Sequence, residues 1–106
     1  MFKHINPNEL AEKIKTESVQ IVDIRDTQSY QMGHIPLAKH IDNANISQFL
    51  SDADHNLPLI VCCYHGNSSQ GAADYFNQQG FCDVYSLDGG FELWRSLQPD
   101  SVETSN

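Results

Sequence analysis

Cations are scarce in this 106-residue chain: six Lys and Arg stand against 14 Asp and Glu, for a formal charge of -8. Binding nucleic acid takes basic side chains that neutralise phosphates, so that class of function is excluded. Long apolar runs are missing as well. None approaches the roughly 20 residues of a membrane span, and Met1 to Leu10 lacks the basic and apolar regions of a signal peptide. No membrane partner is expected, and the expected location is the cytoplasm. Cysteine is sparse: Cys62, Cys63 and Cys82 make a poor disulfide framework, which also fits a reducing compartment. No second pair of ligands at metal-site spacing accompanies Cys63 and His65, so neither a metal nor another cofactor is expected. Repeats, linkers and low-complexity tracts are absent. The length suits a single domain over residues 1–106, with a core at about 17–98 and a frayed polar tail at 99–106.

What is present is an alternation of strand and helix signals. Met1 to Ile5 reads as a lead-in able to pair at a sheet edge. Asn6, Pro7 and Glu9 form a capping-box helix start, and Leu10, Ala11 and Ile14 recur at helical spacing to about Lys15. Val19 to Ile24 reads as a strand. A short helix capped by Asp26 or Thr27 runs to Met32, a turn falls at Gly33 to Pro36, a strand at Ala38 to Ile41, and a helix at Ile46 to Asp52. After Pro58 comes the main strand, Leu59 to Cys62. A helix capped by Ser68 or Ser69 continues to Gly80, a strand spans Val84 to Leu87, and a last helix spans Phe91 to Leu97. This order predicts an α/β domain, a mostly parallel sheet with helices on both faces. Its reactive crevice should lie at the carboxyl ends of the strands.

Cys63 stands at such an end, followed by the small-residue loop Tyr64, His65, Gly66, Asn67, Ser68 and Ser69. Inward backbone N–H groups and the positive end of a helix dipole favour a thiolate and bind anions. Cys63 is therefore the candidate nucleophile, and Tyr64 to Ser69 the candidate substrate-binding loop. The acidic background repels an anionic substrate at long range, so binding must come from these short-range amides. Cys62 points to the other face and is read as core; Cys82 is read as structural, with a resolving-thiol role left open. His65 could lend a hydrogen bond to substrate or simply face solvent. His4, His34, His40 and His55 are read as surface or local hydrogen-bonding groups, and Asp23, Arg25 and Asp26 as a structural ion-pair cluster.

With these residues in place, the chain resembles the rhodanese family. Val22-Asp23-Ile24-Arg25 is similar to that family's first signature, and Gly33-His34-Ile35-Pro36-Leu37-Ala38 to its second, with Leu37 where Gly is usual. Val61 to Ser69 is similar to the active loop and Leu87 to Trp94 to the closing element. The resemblance implies a rhodanese fold and a sulfurtransferase. The Cys63 thiolate would take the outer sulfur of thiosulfate as a persulfide and pass it to cyanide, thioredoxin or another dithiol. A cysteine phosphatase would place Arg six residues after the nucleophile to clamp phosphate; here Ser69 stands there. The loop also lacks the Lys or Arg of many thiosulfate users. That absence implies weak thiosulfate binding and keeps a sulfur-carrier or partner-binding module as the alternative.

Overall fold

The computed structural model describes residues 1–105. Five strands, β1 (Lys3–Ile5), β2 (Gln20–Asp23), β3 (Ala38–His40), β4 (Leu59–Cys62) and β5 (Val84–Leu87), form one sheet in the order β1-β5-β4-β2-β3. Every pairing is parallel. The connections carry the helices α1 (Pro7–Thr16), α2 (Thr27–Met32), α3 (Ile46–Asp52) and α4 (Ser68–Gln78), and α5 (Gly90–Leu97) follows β5. The central strand β4 is buried throughout, as a parallel strand covered on both faces must be.

Alternation along β4 divides the core in two. Ile60 and Cys62 join Leu10, Phe91 and Trp94 under α1 and α5, while Leu59 and Val61 join Phe49, Phe76 and Phe81 under α3 and α4. The capping box at α1 forms as expected: Asn6 Oδ1 accepts from the Glu9 N–H at 2.8 Å, and Glu9 Oε1 from the Asn6 N–H at 2.9 Å.

Three expectations are corrected. The buried core is not confined to residues 17–98, because Ile5 and Leu10 lie within it and Val102 packs against it. Nor is the segment after residue 99 frayed. Glu103 and His34 exchange two backbone hydrogen bonds of 2.9 Å, and the Ser105 N–H donates to Gln31 O at 2.9 Å. Ser101 O accepts the Trp94 Nε1–H at 2.8 Å. Val102 wedged beside Gly33 holds the segment down, a contact its polar composition concealed; Asn106 lies outside the described residues. The third correction moves a turn: the chain reverses at Pro36-Leu37, closed by the Ala38 N–H on Ile35 O at 3.0 Å, and His34 lies in the bridge before it.

Leu37 occupies the position of that turn which requires a positive φ, and it adopts 78°. Its side chain is 66% exposed, so little packing offsets the roughly 1–2 kcal/mol that a left-handed backbone costs a residue with a Cβ. Part of the gain from glycine is lost to its greater freedom in the unfolded chain. Leu37→Gly should therefore stabilise the protein by about 0.5–1 kcal/mol, or roughly 2–6 °C in Tm by thermal melting. A lower Tm would show that Leu37 contributes packing that its exposure hides.

Candidate active site

Cys63 follows the last residue of β4 and is 3% exposed. Its Sγ accepts two backbone hydrogen bonds, from the Gly66 N–H and the Ser69 N–H, each at 3.2 Å. Ser69 is the second residue of α4, and a helix leaves the N–H groups of its first turn without internal partners. A side-chain oxygen of the N-cap residue usually accepts one of them. The sequence points to Ser68 or Ser69 as the N-cap, but neither is. Asn67 holds that position and makes no side-chain cap bond. The cysteine sulfur does the capping from outside the helix. This corrects the expected cap and also places the sulfur on the positive end of α4.

The carbonyl side of the loop is held from the other direction. Cys63 O accepts the Phe91 N–H at 2.8 Å, and Tyr64 O accepts the Glu92 N–H at 3.1 Å, both from the first turn of α5. Such close approach requires glycine at residue 90. Its φ is +57°, and a Cβ there would stand 2.5 Å from both Cys63 O and Tyr64 O. With its carbonyls engaged by α5, the loop turns N–H groups towards the sulfur. Gly89-Gly90 forms the turn and helix start between β5 and α5, and the double glycine is also the sequence signal for a close backbone approach.

Of the expected loop residues, Gly66 and Ser69 are the two whose amides reach the sulfur, and both are buried. Ser69 Oγ shares a 2.7 Å hydrogen bond with Ser86 Oγ of β5, a residue the sequence reading did not single out. Tyr64 is 41% exposed, and its hydroxyl bonds to the Asp26 carboxylate and, at 3.1 Å, to Ser29 Oγ. His65, Asn67 and Ser68 face solvent. The Gln70 side-chain amide, just past the loop, donates to Gly66 O at 2.9 Å.

Charge is distributed as the acidic composition demands. Arg25, stacked 4.3 Å from the Phe91 ring and 5.8 Å from the Tyr64 ring, is the cation beside the loop. It is buried in a bidentate ion pair with Asp23, with contacts from 2.7 to 3.1 Å, and donates to Gly33 O at 2.6 Å. That partner neutralises it, so the loop's own dipoles must hold an anion. Asp26 stands apart from this pair and caps α2; the hydroxyl and N–H of Ser29 hold its carboxyl below the usual range.

The other histidines behave as local hydrogen-bonding groups. His34, though buried, bonds Tyr30 O at 2.7 Å, and His40 bonds Arg25 O at 2.6 Å. Among the described residues no cluster of three or more His, Cys, Asp or Glu is arranged to hold a metal ion.

The three cysteines separate clearly. Cys62 belongs to the core beneath α1 and α5, and burial pushes its thiol well up, with the Asp23 carboxylate adding to the effect. Cys82 is exposed rather than structural. Since Leu59 pairs with Val84, Cys82 lies at the opposite end of the sheet from Cys63. Six strand rises, about 20 Å, separate them, too far for the resolving role left open above.

A buried thiol capping a helix at the carboxyl end of the central strand defines a cysteine-centred anion site in a parallel α/β domain. Residues 6–97 match the family described as the rhodanese-like domain, and the chain belongs to that family. It is 57% identical to the thiosulfate sulfurtransferase GlpE of Pseudomonas paraeruginosa, over 97% of this chain and 93% of that protein. With the GlpE of Pseudomonas fluorescens strain SBW25 it shares 53%, over 99% of this chain and 95% of that one. Among solved structures, a rhodanese-like domain protein from Staphylococcus aureus superimposes with a TM-score of 0.83 at 29% identity, covering 99% of this chain and 100% of that one.

The placement of the thiols makes a labelling prediction. Brief iodoacetamide treatment of the native protein should modify Cys82 and Cys63 and spare Cys62, which should react only after unfolding. Peptide mass mapping reads this directly, and labelling of Cys62 as fast as Cys63 would contradict the core placement and raised thiol of Cys62.

Proposed function

We propose that the protein is an enzyme, a thiosulfate sulfurtransferase, in which Cys63 carries sulfur as a persulfide. The observation that carries this reading is the pair of loop amides on the Cys63 sulfur at 3.2 Å. Aligned donors of this kind stabilise a charged sulfur in a site where water competes little. In the first half-reaction the Cys63 thiolate attacks the outer sulfur of thiosulfate. A bond forms from Sγ to that sulfur, the sulfur–sulfur bond of thiosulfate breaks, and sulfite leaves with its electron pair. In the second half a thiophilic acceptor takes the outer sulfur and the Cys63 thiolate returns. Cyanide, thioredoxin or another dithiol fits that role. The loop Tyr64 to Ser69 is the substrate-binding element, with Gly66 and Ser69 holding the charged sulfur and the residues between them shaping the mouth. The names of the Pseudomonas relatives support thiosulfate as donor. No helix is long and apolar enough to cross a membrane; a nucleophilic thiol held unoxidised fits the reducing cytoplasm.

One observation favours a second reading. The loop has no Lys or Arg, and Arg25 is neutralised by Asp23. Arg95, which lines a cleft with Arg25 and Tyr64, is likewise paired, with Glu92, so the grip on a dianion falls to dipoles, which suits a module that accepts sulfur from another protein and uses free thiosulfate poorly.

Intact-mass measurement after incubation with thiosulfate separates the two. The wild type and Cys62→Ser should each gain one sulfur atom, removable by cyanide, and Cys63→Ser should gain none. Steady-state kinetics should give a KM for thiosulfate well above the micromolar range. Failure of the wild type to take up sulfur would set aside the leading reading in favour of the carrier, and a micromolar KM would overturn the argument from the missing cation.

A further inference from the structure

We infer that Ser86 is a positioning residue for the Cys63 sulfur, acting through Ser69; this rests on Cys63 being the reactive thiol. Ser86 lies on β5 opposite Val61, completely buried, and points its hydroxyl at the hydroxyl of Ser69, also completely buried, 2.7 Å away. Ser69 in turn donates its N–H to Cys63 Sγ. A continuous chain of bonds therefore runs from the middle of the sheet to the sulfur.

Two features argue that this chain serves the thiol rather than the fold. First, the start of α4 lacks the usual restraint. Asn67 makes no cap bond, and Ser68 is exposed. The cap on this turn is the Cys63 sulfur itself, and a turn capped by the atom it must orient needs another anchor to fix the direction of the Ser69 N–H. The Ser86 tether holds that turn on β5. The other donor, Gly66, is restrained separately by the Gln70 side chain on its carbonyl, so each amide on the sulfur has its own anchor. Second, the pair makes poor sense as a stability device. A buried hydroxyl pair contributes little over two apolar groups of the same shape, and serine is no match for valine in a buried strand. A local choice that costs stability and leads straight to a reactive atom marks a functional position.

The test uses the full chain with Cys82→Ser as background, so that Cys63 is the reactive thiol observed. Two readouts are taken: the pH midpoint of Cys63 alkylation by iodoacetamide, and the rate of sulfur loading from thiosulfate. Ser86→Ala leaves Ser69 Oγ buried without a partner; Tm should fall by roughly 5 °C. The alkylation midpoint should rise by about one pH unit, equivalent to a tenfold loss of thiolate preference, and sulfur loading should slow by about tenfold. Ser86→Thr, which restores the hydroxyl, should recover the midpoint and the rate. The double variant Ser69→Ala with Ser86→Ala removes the orphaned hydroxyl, so its Tm should return close to that of the parent while its midpoint stays raised. Asp23, Arg25, Asp26, Cys62, Tyr64, His65, Asp88, Glu92 and Arg95, the charged or titratable groups on the loop and on the segments around it, are unchanged in every variant. If Ser86→Ala and the double variant both keep the parental midpoint, whatever their Tm, the role assigned to Ser86 is wrong. Alkylation does not depend on thiosulfate, so a protein that takes up no sulfur but shows the shifted midpoint would overturn the proposed function and uphold the role of Ser86.

Discussion

The molecule turns on one interaction: the sulfur of Cys63 replaces the missing N-cap of α4. Because the acceptor for the helix's orphan N–H is a thiol on the preceding strand, folding the helix and preparing the sulfur are one event. The surrounding structure serves that arrangement. Strand β4 carries Cys63 to the sheet's carboxyl edge, the first turn of α5 binds the carbonyls of Cys63 and Tyr64, and Gly90 permits the contact. With its carbonyls drawn away, the loop is left with N–H groups on the side of the sulfur. A site of this kind needs no cofactor to stabilise negative charge.

The same arrangement explains how so acidic a chain can present an anion site. With a formal charge of -8, long-range steering works against a negatively charged donor. The nearest guanidinium, Arg25, is locked to a fully buried Asp23 and bridges to Gly33. It organises the end of β2 and offers little net charge to a ligand. Two helix N-termini meeting at one short loop supply the positive potential instead, and their influence falls off within about one helical turn.

Features written in local sequence were legible. The Asn6-Pro7-Glu9 capping box, the apolar run of β4 and the small-residue loop after it all appear where the residue pattern places them, because each depends on neighbours within a few positions. What was hidden depends on partners far along the chain. The cap of α4 could not be read from Ser68 and Ser69 because the capping atom belongs to Cys63, and Ser86 carries no motif of its own beyond being an odd residue in a strand. Likewise the polar composition after Pro99 suggested fraying, yet Val102 and Glu103 seat against Gly33 and His34 through contacts with no periodic signature. Cys82 reads as structural from its place before a strand, but it precedes that strand on the exposed side.

The central claim is that the amides of Gly66 and Ser69 hold the charge on the Cys63 sulfur. The most direct measurement is a pH titration of the amide proton and nitrogen resonances by NMR, with Cys63→Ser as the control. The resonances of Gly66 and Ser69 should move together with a single midpoint as the thiol ionises, and that movement should vanish in Cys63→Ser. If those two amides stay still while others follow the ionisation, or if they titrate unchanged in Cys63→Ser, the sulfur is not held as described.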